Sequence, residues 1–177
     1  MRYVALLRGI NVGGKAKIEM ARLRLLFETL GMHDVRTYIN SGNVLFSATR
    51  PKSELTHHIE RAIEQEFGLQ VPVLLRSQAE IAILCQAIPT AWENNTAQRT
   101  DVLFLWEAID NQSITENLAI KPEIENVLYT KGALVWNIGR QHVRKSGAIK
   151  LINTPIYAQM TIRNLTTVRK LDYLLSL

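Results

Sequence analysis

The chain has 177 residues, a net charge of +5 at neutral pH and one cysteine, with 47% hydrophobic and 21% charged residues. That balance belongs to a globular chain of one large or two small domains and excludes intrinsic disorder. No apolar run approaches the roughly 20 residues of a membrane span, Cys85 alone excludes an intrachain disulfide, and Arg8 cuts off the apolar residues 3–7 before they resemble a secretory leader, so no membrane association and a cytoplasmic address are expected.

Charge is unevenly spread. Residues 1–76 carry 11 Lys+Arg against 7 Asp+Glu, residues 77–135 carry 3 against 8, and residues 136–177 carry 7 against 1. If folding joins the two basic parts they favour an anionic partner; the alternative is ordinary solvated charge.

Residues 3–7 form a short apolar run typical of a strand buried on both faces, and the loop 9–17 leads into a helix. Met20, Leu23, Leu26, Phe27 and Leu30 recur at helical spacing, Glu19 places negative charge near the start, and Gly31 is a natural stop. Residues 35–40 and 43–47 read as two strands joined through Asn40-Ser41-Gly42-Asn43, residue types that tolerate the positive φ of a tight hairpin. Pro51 opens a second helix with the stripe Leu55, Ile59, Ala62, Ile63 and Phe67, Gly68 closes it, and residues 71–75 are a final strand. The order β-α-β-β-α-β over residues 2–76 is the split βαβ, ferredoxin-like arrangement. Its fourth strand lies at a sheet edge, where Pro72, lacking an N–H, is tolerated.

The second half opens with a helix over 78–86 and a polar linker over 89–99, followed by an apolar strand over 102–106. Ser113 with Glu116 predicts a capping box for a short helix, and strands near 125–129 and 133–138 flank the turn Lys131-Gly132. A helical segment follows over 147–152, and Asn164 is placed to cap a last helix that buries Val168, Leu171, Leu174 and Leu175. The expected fold class is α+β: a ferredoxin-like domain over 1–76 with a second, related α+β domain over 77–177 packed against it. Element order suggests a diverged duplication, although no residue-level repeat is visible. The runs 3–7, 73–75 and 102–106 are apolar on both faces, so the second sheet face needs a cover. Packing of the two halves, or a homodimer, would supply it.

Arg8-Gly9-Ile10-Asn11-Val12-Gly13-Gly14-Lys15 satisfies the G-x-x-x-x-G-K part of a phosphate-binding loop, in which glycines let backbone N–H groups approach an anion and lysine adds charge. Ala16 stands where a P-loop needs Ser or Thr for Mg²⁺, and the helix begins several residues late, which argues against NTPase activity. The remaining readings are an anion contact or a turn whose glycines allow tight packing. Asn40, Ser41 and Asn43 offer donors to a ligand or satisfy their own hairpin. Arg163 and Asn164, just ahead of a helix start, suit a carboxylate or phosphate, or else form a cap beside a surface arginine. The four histidines show no metal-ligand spacing, Cys85 reads as a buried inert thiol, there is no G-x-S-x-G, and no cofactor or metal is expected. The third strand, Asn43-Val44-Leu45-Phe46, lacks the aromatic motif of an RNA-binding sheet.

Three segments taken together carry a resemblance: Ala5-Leu6-Leu7-Arg8-Gly9-Ile10-Asn11-Val12-Gly13-Gly14, Val35-Arg36-Thr37-Tyr38-Ile39-Asn40-Ser41-Gly42-Asn43-Val44, and Thr161-Ile162-Arg163-Asn164-Leu165-Thr166-Thr167-Val168. The chain resembles the bacterial family known as domain of unknown function 1697 over nearly its whole length. The resemblance implies a two-part α+β protein with a ferredoxin-like first half, and it implies no catalytic residue. The expected function is binding of a small anionic ligand, phosphorylated ones included, by Arg8, Gly9, Asn11, Gly13, Gly14, Lys15, Asn40, Ser41, Asn43, Arg163 and Asn164. An enzyme acting on such a ligand, and nonspecific contact of basic loops with nucleic acid, are the alternatives.

Overall fold

The computed structural model describes residues 1–14, 16–152 and 154–177. They form two compact units, Met1–Ile81 with Leu171–Leu177, and Ala82–Lys170.

The first unit runs β1 (Arg2–Leu7), α1 (Met20–Thr29), β2 (His33–Tyr38), β3 (Asn43–Ser47), α2 (Lys52–Phe67) and β4 (Val73–Ser77). The strands lie in the antiparallel order β2-β3-β1-β4, the ferredoxin-like order expected from the sequence. One sheet face, carrying Tyr3, Ala5, Leu7, Phe46 and Leu75, shares a core with Leu23 and Phe27 of α1 and Leu55, Ile59 and Ile63 of α2. Phe46 packs against Tyr3 and Phe27 with ring centroids 5.7 and 5.4 Å away. The opposite face is withdrawn from solvent as well: Val4, Leu6, Leu45 and Leu74 are all buried within the single chain. Each such side chain contributes about 1.5–3 kcal/mol by leaving water, which is why strands apolar on both sides need both sides covered. Gly68 ends α2 in the left-handed conformation, with its N–H on the Glu64 carbonyl. Pro72 sits one residue before β4, and its carbonyl accepts the Arg8 N–H at 2.9 Å. The fourth strand thus starts two residues later than expected.

After α3 (Gln78–Ala87), the second unit runs β5 (Gln98–Leu105), β6 (Glu125–Thr130), β7 (Ala133–Gly139), α4 (Ala148–Leu151) and β8 (Met160–Asn164), with α5 (Leu165–Ser176) beyond it. Its strand order, β6-β7-β5-β8, repeats that of the first sheet. The repetition extends to individual residues, which the sequence alone did not reveal. Val4 lies between Leu45 and Arg76, and Val102 lies between Val135 and Arg163. The Leu7 N–H donates to Gly42 O at 2.8 Å and the Leu105 N–H to Gly132 O at 2.9 Å. Arg8 donates to Pro72 O, and Trp106 to Gln159 O. Hence one plan is built twice, with matching register.

The copies differ in what joins the strands. Where the first has α1, the second has two 3-10 segments, Glu107–Ile109 and Gln112–Asn117; where the first has α2, it has Arg140–Lys145, α4 and Pro155–Gln159. The capping box expected at Ser113 is absent: Asn111 occupies the N-cap without a side-chain cap, and the Ser113 hydroxyl bonds to Asn111 Oδ1. Cys85 is half-buried, not enclosed. Among the described residues no helix is long and apolar enough to cross a membrane.

Candidate functional site

The loop after β1 and the β2–β3 turn, far apart in sequence, meet through one side chain. Both amide hydrogens of Asn11 are used, donated to Ile18 O and Asn40 O at 2.9 Å each, while its Oδ1 accepts the Ile18 N–H at 2.9 Å. Asn11 itself has φ of 54°, within a run where Gly9, Gly13, Gly14 and Ala16 also have positive φ. Such backbone suits glycine and is tolerated by asparagine. Gly42 completes the seating. A Cβ there would lie 2.8 Å from Ile10 Cδ1 and from Leu7 Cβ, so only glycine lets the turn close on the loop.

Asn11, Asn40, Gly14, Lys17, Glu19 and Met20 line the open cleft that results. Gly9, Gly13, Gly14 and Asn40 are exposed and Arg8 is half-buried. Asn43 is fully buried, and its Nδ2 donates to Tyr38 O at 3.0 Å and Ser41 Oγ at 3.1 Å, inside the hairpin. Lys15 lies outside the described residues. α1 begins at Met20, well beyond Gly14, so the loop does not present a helix N-terminus in the P-loop manner.

Arg163 and Asn164 belong to the second unit. Asn164 caps α5, its Oδ1 accepting the Thr167 N–H at 2.8 Å. Arg163 is 7% exposed, and its Nη1 donates to Thr161 Oγ1 at 3.1 Å and Ile162 O at 2.8 Å. Burial lowers its pKa to about 10, which leaves it cationic at neutral pH. The late arginine therefore sits buried in a strand, where the sequence reading expected a position just ahead of a helix start, as an anion contact or a surface arginine beside a cap.

Two features of the second unit escaped sequence reasoning. Glu125, 2% exposed, is a buried carboxylate held by hydrogen bonds from neutral groups. It accepts from Ser146 Oγ at 2.6 Å, Trp136 Nε1 at 3.0 Å, Lys121 N–H at 2.8 Å and Gly147 N–H at 3.0 Å. Burial pushes its pKa up, but those donors outweigh burial and hold it below the usual carboxylate value. Gly147 belongs to the same knot, since a Cβ there would fall 1.8 Å from Ala119 O. The second feature is a recess of about 170 Å³ floored by Leu103, Trp136 and Ile162, with Arg99 and Asp101 at one end and Ile149 and Ile152 among its walls. The only signal in sequence was the missing helical stripe between β7 and β8. Among the described residues no group of three or more His, Cys, Asp or Glu is placed to hold a metal.

The profile of the family described as "Protein of unknown function (DUF1697)" matches residues 1–136, and the chain belongs to that family. It is similar to a solved structure described as that of the conserved bacterial protein SP0830 from Streptococcus pneumoniae. The two are 32% identical, 98% of each chain is covered, and the TM-score is 0.85. Among curated proteins none matches.

Proposed function

We propose, for this member of the DUF1697 family, that the chain is a cytoplasmic protein binding a small anionic molecule, phosphorylated ones included, at the cleft between the Gly9–Lys17 loop and the Asn40–Asn43 turn. The supporting observation is the Asn11 amide, which closes the exposed, glycine-bearing loop on itself through two hydrogen bonds with Ile18 and ties it to the hairpin through a third, to Asn40 O. A loop already held in shape loses less entropy when it receives a ligand. Exposed Gly13 and Gly14 leave main chain open to close approach, as anion-binding loops require. Lys17 and Glu19, which line the cleft, carry opposite charges, and this reading assigns recognition of the anion's charge to Arg8 and Lys15 from their positions in the loop sequence. Arg163 and Asn164 are left out of this reading, because their side chains serve β8 and the start of α5.

The test is thermal unfolding of the full chain with inorganic phosphate, a sugar phosphate, a nucleotide and acetate. A ligand of the native state raises the midpoint in a concentration-dependent way. A phosphate-bearing compound is expected to do so in wild type and to do so less in Lys15→Ala and Arg8→Ala. Absence of any shift in wild type, or shifts in the two variants equal to that of wild type, overturns the reading.

A further inference from the structure

The two units carry the same sheet, yet one connection fills its face and the other does not. In the first unit Tyr3, Ala5, Phe46 and Leu75 share a core with Leu55, Ile59 and Ile63 of the sixteen-residue α2. By strand register their counterparts in the second unit are Asp101, Leu103, Trp136 and Ile162. Among the described residues the connection that takes the place of α2 here holds the four-residue α4 and flanking 3-10 turns, and all four sheet residues line the recess. Its volume of about 170 Å³ is close to that of an apolar cavity of ~150 Å³ able to take benzene. Ile149 and Ile152 on its wall remain 49% and 55% exposed, apolar surface that an occupant would withdraw from water.

The polar end of the recess has a definite chemistry. Arg99 Nε donates to Asp101 Oδ2 at 2.6 Å, which fixes the guanidinium from one side. Among the described residues its Nη1 and Nη2 have no hydrogen-bond partner. Two parallel N–H groups on a fixed plane match a carboxylate. Asp101 neutralises one unit of charge, but the surrounding chain restores it. From residue 126 to residue 171 there is no Asp or Glu, and Arg144, Lys145 and Lys150, all exposed, lie on the connection that walls the recess.

We propose that the recess binds a small aromatic carboxylate, its ring on Leu103, Trp136 and Ile162 and its carboxylate on the Nη edge of Arg99. Asp101 is then a positioning residue. This site lies within the second unit and does not depend on the loop cleft proposed above.

The experiment titrates phenylacetate, its neutral analogue phenylacetamide, and acetate into the full chain labelled on isoleucine methyl groups for NMR. Phenylacetate is expected to shift Ile138, Ile149, Ile152 and Ile162 and to leave Ile10 and Ile18 beside the loop cleft unmoved. It should bind about tenfold or more tightly than phenylacetamide, the value of one charge-assisted pair. Acetate should not bind. Arg99→Gln, a change at a half-exposed side chain, should bring phenylacetate down to the affinity of phenylacetamide while leaving phenylacetamide unchanged. Equal affinity for acid and amide in wild type overturns the proposal. So does an unchanged phenylacetate affinity in Arg99→Gln, a response centred on Ile10 and Ile18, or no response to phenylacetate at millimolar concentration.

Discussion

Arg76 and Arg163 occupy the same place in the two sheets: each is the penultimate residue of the last strand and turns Nη1 back onto the carbonyl of the residue before it. The distances are 3.0 Å to Leu75 O and 2.8 Å to Ile162 O, and the two residues are 8% and 7% exposed. Each is followed by a residue that caps the next helix, Ser77 for α3 and Asn164 for α5. A charged side chain used twice in the same register acts as a structural brace. Lysine keeps the charge but has no planar fork to serve the same acceptors. Arg163→Lys and Arg76→Lys should therefore each lower the unfolding free energy by about 1–3 kcal/mol, measured by urea denaturation. Were Arg163 a ligand contact alone, its lysine variant would unfold like wild type.

Gly42 in the hairpin and Gly13 in the loop after β1 separate two reasons for choosing glycine. Gly42 has φ of 78° and no room for a Cβ, while Gly13 has φ of 60° and nothing within 4 Å of one. Gly13→Ala meets only the left-handed penalty of about 1–2 kcal/mol. Gly42→Ala adds overpacking against Ile10 and Leu7, for a total of about 2–4 kcal/mol. Urea midpoints of the two variants should be displaced in that order. If Gly42→Ala is no worse than Gly13→Ala, the turn does not close on the loop as described.

The first unit was legible because its signals are of the kind periodicity carries: an apolar stripe in α2, a glycine stop at Gly68, a hairpin of Asn and Gly, and a proline beside an edge strand. The second unit was less so, for a physical reason visible at Arg163. Thr161 and Arg163 are polar residues on a buried strand face, so their alternation with Met160 and Ile162 imitates a surface segment and β8 went unread. Capping shows the same limit. The pattern S-x-x-E occurs at Ser77–Glu80 and at Ser113–Glu116, and only the first works as a box: the Ser77 N–H donates to Glu80 Oε2 at 2.7 Å and the Glu80 N–H to Ser77 Oγ at 3.2 Å. The box needs a following helix with a face to bury, and Ile81 and Leu84 provide one after Ser77. The site was half legible, since the loop and the turn do meet, but the Asn11 amide that joins them is directed inward at two carbonyls instead of at a ligand.

That contrast is measurable. Ser77→Ala removes a cap and should cost about 1 kcal/mol. Ser113→Ala removes a hydroxyl that caps nothing and should stay within about 0.5 kcal/mol of wild type. Thermal midpoints of the two variants, compared at one pH, decide it, and equal losses would mean that the 3-10 segment Gln112–Asn117 is capped after all.

Glu125 predicts a pH dependence of known sign. Its carboxylate is more acidic folded than its ordinary value of 4.5, because four donors outweigh the burial that raises it. A group with a depressed folded pKa stabilises the protein fully above its unfolded pKa, and that contribution fades as pH falls through the folded value. Glu125→Gln keeps the shape but removes the charge and turns one acceptor into a donor facing Ser146, Trp136 or the N–H groups of Lys121 and Gly147. At pH 7 the variant should be less stable by about 2–4 kcal/mol. The gap between wild type and variant should stay constant down to the region of 4.5 and shrink below it. Urea unfolding of both proteins at a series of pH values measures that gap directly. A gap that persists unchanged well below the ordinary glutamate range would mean that the loss comes from altered packing in the Ser146–Gly147 knot and not from the charge.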